Sequence, residues 1–287
     1  MSKGIKRIMN LDKLEICYKT KKENLDAIEE NEKINFNGFY LNKIARNDIA
    51  NYYSINIYDD KFESGQYQLG ELKIGNKFEN ENDEIRYCWI YVYNQNLYIN
   101  TPFLNYWDCL YGIQQEIGLY FNNFTNLDIA IDANYNFYKK IWNEIRNKET
   151  TNIILNRQYS NTKETLKGIE HIFPCNSERL LNGGIYICNK EKDMKLRCYD
   201  KTQEILDNSG KTYIQNRFIS IKKVFRCEVA LKNKSLDEYC EKNEIEQYDI
   251  YMQLNNEVLL YNIFNFYSDR LIHFVDSRRN KISILNL

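Results

Sequence analysis

Three short stretches hold residue types that would do phosphoryl chemistry if they met. They are Asn126-Leu127-Asp128-Ile129-Ala130-Ile131-Asp132, Leu196-Arg197-Cys198-Tyr199-Asp200-Lys201 and Phe225-Arg226-Cys227-Glu228-Val229-Ala230-Leu231. Alternate side chains of a β-strand point to opposite faces. Read as strands, the stretches each show one apolar face: Leu127, Ile129 and Ile131; Leu196 and Cys198; Phe225, Cys227, Val229 and Leu231. The other faces carry Asp128 and Asp132, then Arg197, Tyr199 and Lys201, then Arg226 and Glu228. In a single sheet, these acids, guanidiniums and the phenol would gather on one side.

Carboxylates within reach of one another repel, and a hard divalent cation such as Mg²⁺ or Mn²⁺ relieves this with oxygen ligands. Asp128, Glu228 and Asp132 are therefore the candidate metal ligands. Such an ion polarises a phosphoryl oxygen, and Arg197, Arg226 and Lys201 beside it suit the remaining phosphate charge. A phenol with a pKa of about 10 is a poor nucleophile at neutral pH, but near a metal and cations it is deprotonated as it attacks. The chemistry is transesterification of a phosphodiester onto Tyr199, which conserves bond energy and needs no ATP. Singly, each stretch is more often the solvated face of an amphipathic strand, and Tyr199 ordinarily a half-buried aromatic. Only the joint parity points to a site.

The elements that must position these residues follow from pattern and punctuation. Leu14–Tyr18 alternates as a strand and Glu23 to Glu30 reads as a short helix. A meander is expected over Tyr52–Tyr58, Tyr67–Ile74, Arg86–Tyr93 and Leu97–Ile99, broken by Gly65, Gly70 and Gly75. Pro102 opens a helix to about Tyr120. The strand ending at Asp132 leads into a helix over roughly Tyr135 to Arg146. A second meander runs from Arg179-Leu180-Leu181 through Asn182-Gly183-Gly184 into Ile185–Cys188, then through a loop into Met194–Tyr199. Asp200 caps a helix to about Asn208 with Gly210 past its end, and Ser235 with Glu238 has capping-box spacing. A helix over about Ile250 to Phe266 precedes a last strand, Leu271–Val275. Strands and helices mix without strict alternation, so the class is α+β, with mostly antiparallel sheet and helices packed on one face. Two sheet-bearing halves, 1–120 (DNA recognition or structural) and 121–287 (catalytic), are one organisation; a single composite domain is the other.

Composition narrows the class. The 287 residues are 43% hydrophobic and 28% charged, an ordinary globular balance, and no stretch approaches a membrane span. Met1 to Arg7 leads into no apolar run, so no secretory leader is expected. The eight Cys form no Cys-x-x-Cys pair and His171 and His273 are the two histidines, which argues against a structural zinc module and a disulfide framework and rules out a histidine-cluster mechanism. Reduced thiols in a cytoplasm fit this usage, with Cys198 and Cys227 on apolar strand faces. His171, in a polar connection, is a further candidate base or ligand, and far more often such a residue is incidental. The net charge is −1, yet Lys139 to Lys234 holds twenty Lys and Arg against eleven Asp and Glu. A basic middle on an acidic chain fits a phosphate-binding groove.

At these residues the chain resembles the Rep_trans-type replication initiation factors and relaxases, which serve rolling-circle plasmids, related phages and some conjugative elements. The family hairpin and its Arg-Ile-Tyr-Asp-Lys strand are similar to Gly184-Ile185-Tyr186-Ile187-Cys188-Asn189-Lys190 and Leu196-Arg197-Cys198-Tyr199-Asp200-Lys201, with Glu204 following. The Arg-x-Asp-x-x-x-Asp strand resembles Asn126 to Asp132, the Arg-Val-Glu-Leu strand Arg226-Cys227-Glu228-Val229, and the closing Arg-Phe strand Ile272-His273-Phe274. The order and separations fit from about Phe124 to Phe274, roughly half the chain. The departures are Asn126 for the family Arg, Cys188 and Asn189 for Gly and Ser, and Lys192 and Lys195 for Ser and Phe.

The resemblance implies that Tyr199 is the nucleophile and that Asp128 and Glu228, with Asp132, bind the metal. It implies nicking of one strand at an origin, with a 5′-phosphotyrosyl link on Tyr199 and a free 3′-OH for a polymerase. Origin DNA would be met single-stranded or as an extruded hairpin, with Lys190, Lys192 and Lys195 as candidate backbone contacts. A host helicase and polymerase, and a second copy of the chain, stay open as partners; a membrane does not. Two alternatives stand beside this reading. One is a metal-dependent nucleotidyl transferase of primase-polymerase type, which needs no nucleophilic Tyr. The other is a non-catalytic DNA-binding protein with an initiator-like fold.

Overall fold

Alternating and β-branched apolar runs dominate the chain, and they form the strands of an α+β fold. The computed structural model describes residues 7–58, 66–75, 84–98, 105–159, 172–174, 184–189, 191–218 and 223–287. The chain divides into two compact units, Asp12–Leu127 on one side and Met1–Leu11 with Asp128–Leu287 on the other.

The unit Asp12–Leu127 takes most of β1 (Arg7–Lys21), then α1 (Lys22–Glu29), β2 (Lys33–Asn35), β3 (Phe39–Arg46), β4 (Ala50–Tyr58), β5 (Gln66–Gly75) and β6 (Ile85–Val92). Two helices, α2 (Asn94–Tyr98) and α3 (Tyr106–Ile117), lead to the start of β7 (Tyr120–Ala133). The strands lie in the order β1-β6-β5-β4-β3-β2, each neighbouring pair antiparallel, with Ile16 opposite Ile90. Leu14, Ile16 and Tyr18 of β1 and Cys88, Ile90 and Val92 of β6 are buried on one face. Helix α1 packs against β6. The buried Arg86 guanidinium of β6 donates to Asp26 at 2.9 Å and to Glu29 at 2.6 Å, both on α1.

The other unit continues from β7 into α4 (Phe137–Ile145), β8 (Thr151–Ile154), β9 (Arg157–Tyr159), β10 (Ile172–Pro174), β11 (Ile185–Cys188) and β12 (Met194–Asp200). A short α5 (Lys201–Glu204) passes into a π-turn at Ile205–Ser209, then α6 (Thr212–Asn216) and β13 (Phe225–Lys232) follow. Helices α7 (Asn233–Asn243), α8 (Gln247–Met252) and α9 (Glu257–Leu271) precede β14 (Ile272–Val275) and β15 (Lys281–Ser283). The main strand order is β10-β11-β12-β13-β7, and a smaller sheet runs β15-β14-β8-β9. Of the apolar faces expected for β12 and β13, Leu196, Cys198, Cys227, Val229 and Leu231 are buried and Phe225 is half-buried, and α4 and α9 pack on these strands. No described helix is long and apolar enough to cross a membrane.

Several expectations on local structure need correction. The segment read as a strand from Leu97 is helical over Asn94–Tyr98, because the Asn96 amide donates to the Gln68 and Leu69 carbonyls at 3.0 and 2.7 Å and turns the chain. Ser235 is not an N-cap: α7 begins at Asn233, and the Ser235 hydroxyl bonds the Asp193 carbonyl at 2.9 Å. The long helix over Ile250 to Phe266 is broken, since Asn256 caps α9 by accepting from Val258 and Leu259 N–H. Asp200 does cap its helix, accepting from Gln203 N–H at 3.0 Å, and Gly210 is left-handed. The expected strand Arg179–Leu181 and His171 lie outside the described residues.

Candidate active site

Antiparallel register sets the site. Arg197 lies opposite Glu228 and Tyr199 opposite Arg226 on β12 and β13, while β13 is also the neighbour of β7. Cross-strand partners and diagonal neighbours on one face are close enough for long side chains to touch. The Tyr199 hydroxyl donates to Glu228 Oε2 at 3.0 Å. Arg197 Nη2 donates to Asp128 Oδ2 at 3.3 Å and forms an ion pair with Glu228 Oε1. Arg226 grips Asp132 with two bonds, Nε to Oδ1 at 2.7 Å and Nη2 to Oδ2 at 2.8 Å, and its Nη1 stands 4.0 Å from Glu228 Oε2. The three acids, two arginines and the phenol thus form one connected line across three strands.

Burial sharpens the electrostatics. Arg226, Asp132 and Glu228 are buried, while the Arg197 side chain keeps about a third of its surface, at 34%. Three carboxylates face two guanidiniums, so when all are ionised the set keeps one negative charge. Each arginine lies between acids that would otherwise repel.

Lys201 is also buried, but its ammonium is held by Glu204 Oε2 at 2.6 Å, and it lies 5.7 Å from the Tyr199 ring centre. Lys195 points to the same strand face as Arg197 and Tyr199, four residues before the phenol. Lys192 is exposed in the β11–β12 turn with a left-handed backbone (φ 57°), and Lys190 lies outside the described residues. Asn189 closes that turn: its side-chain oxygen accepts from the Asp193 and Met194 N–H groups, both at 3.1 Å. His273 stands apart on β14, with Nδ1 2.7 Å from the Asp269 carbonyl.

The candidate ligands do not all suit an ion. Both oxygens of Asp132 are taken up by Arg226, and among the described residues no group of three or more His, Cys, Asp or Glu could hold a metal. Asp128 and Glu228 are the carboxylates that could hold one. They share a guanidinium, and Glu228 Oε1 is buried with no directed hydrogen bond, only the Arg197 charge beside it. Mg²⁺ commonly takes one or two carboxylates and completes its shell with water and substrate phosphate.

Two contacts around the site go beyond what the sequence showed. Gly184 packs against the strand that carries the phenol: a Cβ there would lie 2.8 Å from the Cys198 carbonyl oxygen and 3.4 Å from Tyr199 Cβ. On the opposite face, directly behind the site, the Cys198 and Cys227 sulfurs are 2.8 Å apart. Burial, with the Cys198 contact adding to it, pushes the Cys227 thiol well above its usual range. The Gly-Gly turn was the only sequence signal for the first, and strand parity for the second.

Comparison with known proteins adds a distant likeness. No protein-family model matches the chain, and no curated protein matches it. Among solved structures it is similar to a rolling circle replication initiator protein from Geobacillus stearothermophilus, at 16% identity over 80% of this chain and 75% of that one, with a TM-score of 0.37.

Proposed function

We propose that this chain is a replication initiator of the rolling-circle type that nicks one DNA strand by transesterification onto Tyr199. The observation that carries the reading is the 3.0 Å bond from the Tyr199 phenol to a buried carboxylate, Glu228, on the face that also holds Arg197 and Asp128. A phenol in that setting has its base already in hydrogen-bond reach.

In the reaction, Tyr199 Oη bonds to the phosphorus of a phosphodiester and the P–O3′ bond breaks. The phenolic proton passes to Glu228 Oε2, and the departing 3′-oxygen takes a proton from solvent to become the free 3′-OH. Arg197, the more exposed guanidinium, is the one that can turn toward the phosphoryl oxygens. Arg226 stays on Asp132 and holds Glu228 and Tyr199 in register. A Mg²⁺ or Mn²⁺ held by Asp128 and Glu228 would supply Lewis-acid polarisation of a phosphoryl oxygen. Lys192 and Lys195, on the approach along β12, suit the DNA backbone. The substrate is origin DNA presented single-stranded or extruded.

The test is incubation with labelled single-stranded oligonucleotides from the protein's own locus and Mn²⁺. A protein–DNA adduct that survives denaturation is expected, and the Tyr199→Phe protein should form none. Origin binding without an adduct from either protein would favour the non-catalytic alternative.

A further inference from the structure

The unit Asp12–Leu127 carries a sheet face that the site above does not use. Along β6 the burial alternates: Arg86, Cys88, Ile90 and Val92 are buried on the face where Arg86 meets α1, whereas Tyr87, Trp89 and Tyr91 are half-buried on the opposite face. Two residues of strand advance about 6.7 Å, so the three rings form a row. On the flanking strands Lys19 faces Tyr87 on β1 and Lys73 faces Trp89 on β5. The Lys73 ammonium lies 5.2 Å from the centre of the Trp89 ring. The ring lies across Gly75, where a Cβ would meet it at 3.2 Å.

The acids of this face are engaged within it. Glu15 accepts from Asn126 and pairs with Lys13 at 4.0 Å, and Glu71 accepts from the Tyr93 hydroxyl at 2.7 Å. The contrast with the rest of the unit is large. From Asp12 to Leu127 there are eleven Lys and Arg against eighteen Asp and Glu, but β1 places Lys13, Lys19 and Lys21 on this face against one Glu. A basic, aromatic stripe on an acidic unit is complementary to a chain that offers flat rings and phosphates together.

We infer that this face is a binding platform for unpaired DNA bases, which stack on Tyr87, Trp89 and Tyr91 while Lys19 and Lys73 meet the phosphates. The inference rests on the DNA reading of the protein, and it assigns single-strand capture to the amino-terminal unit. Aromatic rings on a sheet bind single strands with little sequence preference, because every base has a π-face. A nicking enzyme needs such a hold, since its substrate must stay open while a phosphodiester reaches the tyrosine.

The test measures fluorescence anisotropy of a labelled oligothymidylate of about 15 nucleotides with the full chain, without divalent metal. Trp89→Ala and Tyr91→Ala should each weaken binding by roughly 5- to 150-fold, and Trp89→Phe should restore most of it. Lys19→Gln and Lys73→Gln should each lower the slope of log affinity against log salt by about 0.7. Unchanged affinity in both Ala variants, with wild-type circular dichroism, would overturn the platform; so would a change in their sedimentation alone, which would mark a surface for a second copy. The nicking proposal fails on the adduct and the platform on the affinity, so the two failures are distinguishable.

Discussion

Asp132→Ala isolates what the Arg226–Asp132 pair does. The guanidinium is fully buried and spends two donors on that carboxylate at 2.7 and 2.8 Å, with Glu228 4.0 Å away as its other acid. Removing one partner of a buried pair leaves an uncompensated charge and costs about 3–5 kcal/mol, a large part of a typical stability of about 5–15 kcal/mol. With a urea m-value of about 2 kcal/mol per M, the midpoint of the unit's transition should fall by about 1.5–2.5 M. Asp132→Asn should cost less, since its amide oxygen still accepts one bond. Replacing both residues, as Asp132→Leu with Arg226→Met, should recover much of the loss, because a buried pair exchanged for apolar groups is often neutral. The assay is urea denaturation followed by circular dichroism, with and without Mn²⁺. If Asp132 instead served mainly to bind metal, Asp132→Ala would unfold at the wild-type midpoint without metal and lose only the stabilisation by Mn²⁺. That result would refute the structural role assigned here.

Other outcomes follow from the same geometry. Glu228→Gln keeps an acceptor for the phenol but cannot take its proton, so single-turnover adduct formation should slow by about 10²–10⁴-fold with DNA affinity retained; a wild-type rate would remove Glu228 as the base. Gly184→Ala drives a methyl against the Cys198 carbonyl oxygen and should cost about 1–3 kcal/mol, read as a lower denaturation midpoint together with slower adduct formation. Burial holds the Cys17 and Cys240 thiols at about 11 and Cys227 well above the ordinary value of 9.0. These thiols stay protonated in the fold while the unfolded chain releases their protons, so stability should be flat below about pH 8.5 and fall as pH rises beyond it. A pH titration of the urea midpoint checks the sign, and a midpoint rising between pH 9 and 11 would contradict it.

The site was legible to the extent that strand parity could carry it. Period-two alternation sorted Asp128, Arg197, Tyr199, Arg226 and Glu228 onto one face, and in the structure they connect across three neighbouring strands. Parity does not say which acid pairs with which base. That depends on register and side-chain reach, so the capture of Asp132 by Arg226 and of Lys201 by Glu204 was out of sight. The ends of elements were hidden for a similar reason. Asn96 turns the chain through bonds to carbonyls 27 and 28 residues away, and Ser235 bonds the carbonyl of Asp193 rather than capping its own helix. Strands β8 and β9 read as polar connection because they are short, and because β8 finds its second partner in β14, more than a hundred residues on, while β9 pairs with β8.

The central claim is that the Tyr199 oxygen itself becomes bonded to DNA phosphorus. Trimming the adduct with nuclease, digesting with trypsin and sequencing by mass spectrometry tests it directly. Cleavage after Arg197 and Lys201 releases Cys198-Tyr199-Asp200-Lys201, and that peptide should carry the added nucleotide phosphate on its tyrosine. The same mass on a peptide holding another tyrosine, Tyr186 for instance, would contradict the claim.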